Sequence, residues 1–228
     1  MKRRKRTAIY GGTFDPVHSG HLEVAKRVAS LFELDGVLFI PAQLPPHKQA
    51  CEVTSAMHRY AMLALATQNE PQLLLSMFEI ESSGVRYTVE TLAHFQMALG
   101  GSVELFFLMG ADSWTEITTW REWERVLTMT NHIVVTRPGY PLSATHVGPT
   151  MADRVIDLRG QGRAEILRAL DTADNRIYIT DAAVVDVSAT EIRVAVQEGR
   201  FEQLGTMVPG AVADYIKKYG LYRELNET

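Results

Sequence analysis

A single cysteine, Cys51, is all that 228 residues carry. One thiol excludes an intramolecular disulfide framework and a Cys-rich zinc site, and it fits a reducing compartment. No apolar run approaches the ~18 residues needed to cross a bilayer. Thr7-Ala8-Ile9-Tyr10 is too short to be the apolar core of a signal peptide behind Lys2-Arg3-Arg4-Lys5-Arg6. A soluble, cytoplasmic protein is therefore expected, with no membrane partner. Positive charge is also scarce: the formal net charge is -4. That excludes a general nucleic-acid coat, which needs a basic face to neutralise phosphates, so any anion site must be local. Repeats, low-complexity tracts and a sharp linker are absent as well. With 46% hydrophobic residues the chain can bury one substantial core. One domain over residues 7–228 is expected behind a solvated basic tail at residues 1–6, and assembly into homo-oligomers stays open.

What is present is an alternation of short β-type runs with longer stretches of helical period, the pattern of parallel strands joined by crossover helices. Thr7 to Tyr10 reads as the first strand. Leu22, Ala25, Val28, Ala29 and Phe32 then share one face of a helix. Gly36 to Pro41 is a strand, Met57 to Thr67 a helix, and Leu73 to Ile80 strand-like. Thr88 is a candidate N-cap for a helix carrying Val89, Leu92, Phe95 and Met97 up to Gly100-Gly101. Val103 to Met109 is the most apolar strand, as expected for burial on both faces. His132 to Thr136, Ile177 to Ile179 and Ala183 to Val187 read as further strands. Helices are expected over Ala164 to Leu170, Ala189 to Gln197, and from Pro209 to about Tyr219. Residues 140–175 otherwise give no clear pattern.

Chemistry concentrates after the first strand, in Gly11-Gly12-Thr13-Phe14-Asp15-Pro16-Val17-His18-Ser19-Gly20-His21. A loop at the carboxyl end of a parallel strand is where open α/β sheets bind ligands. Glycines allow close approach of backbone to phosphate, and a following helix N-terminus offers free N–H groups. His18 and His21, three apart, fall on one helix face and can reach the same phosphate chain, with Gly20 leaving room. Near the far end, Ser188-Ala189-Thr190-Glu191-Ile192-Arg193 opens a helix in which Ser188 or Thr190 can cap and Arg193 sits one turn in. Its planar fork suits phosphate oxygens.

The first segment resembles the paired-histidine HxGH element of a nucleotidyltransferase superfamily, and the second resembles that superfamily's SxTxxR element. The resemblance implies a doubly wound, Rossmann-like α/β fold with a mostly parallel sheet and helices on both faces. It implies ATP contacts from Gly11, Gly12, Thr13, Phe14, Ser188 and Thr190, and catalytic donors in His18, His21, Lys48 and Arg193. Pro45-Pro46-His47-Lys48, Arg86-Tyr87-Thr88-Val89-Glu90-Thr91-Leu92, Gly110-Ala111-Asp112 and Trp120 with Trp123 resemble blocks of the bacterial nicotinate-mononucleotide adenylyltransferases. Arg137-Pro138-Gly139, Val208-Pro209 and Gly220-Leu221-Tyr222 are further landmarks.

By that resemblance the acceptor is held by His47, Thr88, Gly110, Asp112, Trp120 and Arg137. Trp120 stacks on the pyridine ring, and amides near Thr88 receive its carboxylate. Arg121 stands where relatives commonly carry an aromatic residue. The substrates implied are ATP and nicotinate mononucleotide, for NAD biosynthesis. Mg²⁺ is the implied cofactor, held mainly by substrate phosphates and water. Rival readings are a phosphopantetheine adenylyltransferase, a cytidylyltransferase, a nucleotide-sensing module without turnover, and a fragment of a class I aminoacyl-tRNA synthetase. The last lacks a KMSKS-like loop.

Overall fold

The computed structural model describes residues 3–44, 53–82, 84–137, 139, 141–182 and 187–223. Its centre is a parallel sheet whose strands, in chain order, are β1 (Lys5–Gly12), β2 (Gly36–Pro41), β3 (Leu73–Leu75), β4 (Val103–Gly110), β5 (Asn131–Val135), β6 (Val155–Asp157) and β7 (Ile177–Thr180). They lie in the order β3-β2-β1-β4-β5-β7-β6, and every pairing between them is parallel. Because β1 pairs with β2 on one side and β4 on the other, the strand order reverses between β1 and β4. That reversal opens the crevice in which doubly wound sheets bind ligands.

Strand alternation divides the core. Ala8, Phe106, Leu108, Ile133 and Val135 join one apolar cluster with α1 (Ser19–Leu31), α2 (Ala56–Thr67), α8 (Ala189–Gln197) and α10 (Gly210–Tyr219). Ile9, Phe107, Met109 and Val134 point the other way, into a cluster with α3 (Thr88–Leu99), α4 (Ala111–Thr115) and α5 (Trp123–Met129). Successive side chains of a strand face opposite sides, so each central strand must be apolar throughout. The helices α6 (Gly148–Ala152), α7 (Arg163–Ala169) and α9 (Leu204–Met207) complete the layers.

Local chemistry sets the helix ends. Ser188 caps α8: its Oγ accepts from the Glu191 amide at 3.2 Å, while the Glu191 carboxylate accepts from the Ser188 amide at 2.9 Å. α10 stops where Gly220 takes φ 61°.

Several expectations are corrected. The first strand begins at Lys5, so the basic run is not simply a solvated tail: Arg6 pairs with Glu104 at 2.8 Å, and its amide donates to Asp35 at 2.7 Å. The third strand ends at Leu75, because Phe78 leaves the sheet edge to stack on His94 of α3, with ring centroids 3.9 Å apart. Thr88 is the first residue of α3 and Tyr87 takes the cap position; the Glu90 carboxylate accepts from the Tyr87 amide at 3.3 Å. Met97 lies on the open side of that helix, 84% exposed. The stretch without clear pattern holds α6 and the short strand β6. Of the strand expected at Ala183 to Val187, residues 183–186 lie outside the described residues.

Candidate active site

The loop from β1 into α1 is built around a buried side chain. Phe14 adopts φ 50° and is 3% exposed, packing against Tyr10, Phe39 and His21 at centroid distances of 5.5, 5.4 and 5.0 Å. A non-glycine residue in the left-handed region costs free energy and persists only where packing over-determines it. The ring also explains Gly12: a Cβ there would meet Phe14 Cζ at 2.8 Å. A Cβ on Gly11 would make only ordinary contact with Phe107 at 3.6 Å. The steric demand on Gly12 therefore comes from Phe14.

His18 caps α1 and its amide donates to His21 Nδ1 at 3.3 Å. With Nδ1 accepting, a neutral His21 carries its proton on Nε2, which can donate. The two imidazoles stack at 3.7 Å, and His18 Nδ1 is buried without a partner. Burial pulls the His18 pKa down to about 4, opposed by the negative charge of Glu191. His21 is pushed well below its usual range by burial and then by His18. Both rings are therefore neutral at neutral pH, and an anion docking on them favours their protonated forms.

Two cavities open at this end of the sheet. One, of about 420 Å³, is lined by His18, Gly20, His21, Gly110, Asp112 and Arg137. The other, of about 250 Å³, is lined by Gly11, Gly12, Thr13, Thr88 and Trp120, together with Glu79, Arg86 and Arg121. This regroups the candidates. Gly110, Asp112 and Arg137, expected beside the acceptor, sit with the histidines, because β4 ends next to β1 there and β5 next to β4. Gly11, Gly12 and Thr13, expected on the ATP side, wall the Trp120 cavity. Trp120 itself follows a short 3₁₀ turn in extended conformation, and Trp123 starts α5, so the pair does not share a helix. Trp120 packs against Phe107 in a T-shaped contact at 6.2 Å.

Arg193 comes to the turn from the far end of the chain, with one guanidinium nitrogen donating to the Asp15 carbonyl at 2.8 Å and the other to Thr190 Oγ1 at 3.2 Å. Ser188, rather than Thr190, is the cap. His47 and Lys48 lie outside the described residues.

Sequence reasoning missed two supports of the site. Arg59 is fully buried in α2 and donates to the carbonyls of Thr13 (2.6 Å), Ala42 (2.5 Å), Gln43 (2.9 Å) and Thr54 (2.9 Å). As the one Lys, Arg, Asp or Glu in that helix, it was the available signal. Asp15, 4% exposed, accepts from the Thr54 amide at 3.1 Å and the Tyr222 hydroxyl at 2.7 Å. Burial is the main influence raising the Tyr222 pKa, with Asp15 adding to it, so Tyr222 stays a donor.

A parallel doubly wound sheet with paired histidines at the turn after its central strand defines a nucleotide-handling α/β protein. Comparison with known proteins makes this specific. The family described as cytidylyltransferase-like matches residues 9–195. A relative from Thermoanaerobacter sp. (strain X514), named a probable nicotinate-nucleotide adenylyltransferase, is 37% identical over 227 residues, spanning 100% of this chain and 99% of its own. One of the same name from Desulfatibacillum aliphaticivorans is 39% identical, covering 95% and 99%. The chain belongs to the nicotinate-nucleotide adenylyltransferases of the cytidylyltransferase-like family. Its fold matches the Plasmodium falciparum nicotinic acid mononucleotide adenylyltransferase complexed with NaAD (TM-score 0.70, 20% identity, 96% of this chain and 97% of that one).

Proposed function

We propose that this enzyme transfers the adenylyl group of ATP to nicotinate mononucleotide, giving nicotinate adenine dinucleotide and pyrophosphate in NAD biosynthesis. Full-length kinship with the adenylyltransferases supports the reaction. The structural observation that carries the reading is the pair of cavities each lined by residues of β1 and its following turn, one with both histidines and the other with Trp120 and the start of α3. An oxygen of the acceptor 5'-phosphate attacks the α-phosphorus of ATP; the new O–P bond forms as the bond to the β-phosphate oxygen breaks, and the electron pair leaves with pyrophosphate. No covalent enzyme intermediate is needed. With two anionic substrates, positioning and charge stabilisation dominate.

His18, His21 and Arg193 are assigned as donors to the phosphate chain, and Lys48 is assigned with them on the sequence motif alone. Asp112 and Arg137, beside the histidines, are assigned to the bound nucleotide. The side chains gathered at the turn are phosphate donors rather than metal ligands, and no cluster of three His, Cys, Asp or Glu suited to a metal ion occurs among the described residues. That chemistry fits Mg²⁺ carried by the triphosphate and water, where it supplies charge neutralisation. No helix among the described residues is long and apolar enough to cross a membrane, and the lone cysteine supports a cytoplasmic setting.

Pyrophosphate release with ATP or CTP, and with nicotinate or nicotinamide mononucleotide, tests the reading. ATP with the acid is expected to give the highest kcat/KM; preference for CTP, or no turnover with either mononucleotide, overturns it.

A further inference from the structure

We propose that Arg86 is a specificity-determining residue that lets the acceptor cavity distinguish a pyridine carboxylate from the carboxamide by donating directly to the acid. The inference rests on the acceptor reading above and deepens it. Arg86 shares the 250 Å³ cavity with Thr88 and Trp120. Its Nε is buried without a hydrogen-bond partner, and it makes no ion pair among the described residues. The guanidinium is nevertheless held: it lies over the Phe78 ring at 4.7 Å, and Phe78 is stacked on His94 at 3.9 Å. The result is a cation braced by stacking; its Nε is out of contact with solvent, and its Nη groups, which make no hydrogen bond among the described residues, are the donors a ligand would meet.

The other charges at this cavity are answered differently. Arg121 is 54% exposed, sits over the Tyr87 ring at 4.8 Å, and already faces Glu90 at 3.7 Å and Glu122 at 4.0 Å. Glu79 accepts a hydrogen bond from Thr91 Oγ1 at 2.7 Å. Burial raises its pKa, while Thr91 and the charge of Arg86 hold it down. A ligand entering beside Trp120 thus meets the Arg86 guanidinium, which has no ion pair among the described residues, and two carboxyl groups, the hydrogen-bonded Glu79 and the exposed Glu116. A carboxylate only accepts, so it pairs with Arg86 in a charge-assisted bond. An amide can accept through its oxygen alone, without the charge, and its NH₂ finds its match in Glu79. The two residues therefore pull specificity in opposite directions, which packing alone does not do.

The experiment measures kcat/KM for both mononucleotides, together with Tm, in wild type, Arg86→Gln, Arg86→Lys, Glu79→Gln and Arg121→Gln. Arg86→Gln is expected to lower kcat/KM for the acid by roughly 10- to 100-fold while the amide changes by less than about threefold. Arg86→Lys, which keeps the charge and loses the planar fork, should fall between, and serves if the glutamine variant does not fold. Glu79→Gln should widen the preference for acid. An unchanged acid-to-amide ratio in both Arg86 variants, equal loss on both acceptors, or collapse of the ratio in Arg121→Gln instead overturns the proposal. A wild-type enzyme inactive with both acceptors overturns the functional reading itself, and with it this one.

Discussion

Replacing Arg59 by Met keeps the length of the side chain and removes the guanidinium, leaving the carbonyls of Thr13, Ala42, Gln43 and Thr54 without their donor. Hydrogen bonds to a charged group contribute about 1.5–3 kcal/mol each. Four of them cannot simply add, because burying the guanidinium costs several kcal/mol and Met is spared that cost. Removing one partner from a buried charged arrangement typically costs about 3–5 kcal/mol, and that is the expectation here. For a chain of this size it corresponds to a fall in Tm of roughly 6–20 °C. Arg59→Lys restores the charge but offers a compact ammonium where a fork spans three chain segments, so it should recover only part of the loss. Activity adds a second readout. Thr13 and Ala42 both wall the Trp120 cavity, so KM for the mononucleotide should rise more than KM for ATP, measured well below each variant's Tm. A control of matched instability, Ile166→Ala in α7, buried and lining neither cavity, should lower Tm without that split. If Arg59→Met melts within about 2 °C of wild type, or if both substrates suffer equally, the carbonyls have found other partners and the reasoning fails.

His18→Ala and His21→Ala should each lower kcat by about 10²-fold or more with Tm little changed, since each removes one charge-stabilising donor; near-normal turnover in both would end that assignment. Stability should fall on acidification. His18 and His132 titrate near 4 when folded and near 6.5 when unfolded, so between those values unfolding takes up protons. Each contributes up to about 1.4 kcal/mol per pH unit in that window, present above the unfolded pKa and lost toward pH 4. Urea titrations at several pH values should show a slope made shallower by that amount in His132→Phe, and an unchanged slope would refute the origin. Gly12→Ala should destabilise by about 1–3 kcal/mol, through overlap with the Phe14 ring. The double variant Gly12→Ala/Phe14→Leu should lose clearly less than the sum of the single changes, and strict additivity would show that the ring is not the obstacle.

Much of the fold was legible because it rests on short-range signals. Gly36–Pro41 and Ala189–Gln197 have the expected boundaries, since each is an uninterrupted run bracketed by strong end signals. What failed was decided by tertiary contacts. Leu73 to Ile80 has strand-like residues throughout, yet Phe78 is drawn onto His94 and the strand stops. β6 is three residues long, too short for any period to show, and exists because β7 offers it an edge. In the site, the histidine turn and the Ser188 cap are local motifs and could be read directly. The division into two cavities could not: it depends on which strands end beside β1, a fact of sheet order. Arg59 was hidden for the same reason, since its partners are carbonyls, which no side-chain pattern records.

The clasp around Asp15 gives the chain an order of assembly. Its partners stand 39, 178 and 207 residues further along: the Thr54 amide, the Arg193 guanidinium and the Tyr222 hydroxyl. A ribosome delivers them in that sequence. Residues 5–180 supply every strand found among the described residues, yet Asp15 still lacks two of its three partners when they have emerged. Contacts spanning so much chain close late, because their loops carry the greatest entropy cost. The nascent protein thus passes through a stage with the described strands in place and the turn after β1 unfastened. Phosphate-binding capacity should appear near the end of synthesis, after the scaffold that carries it.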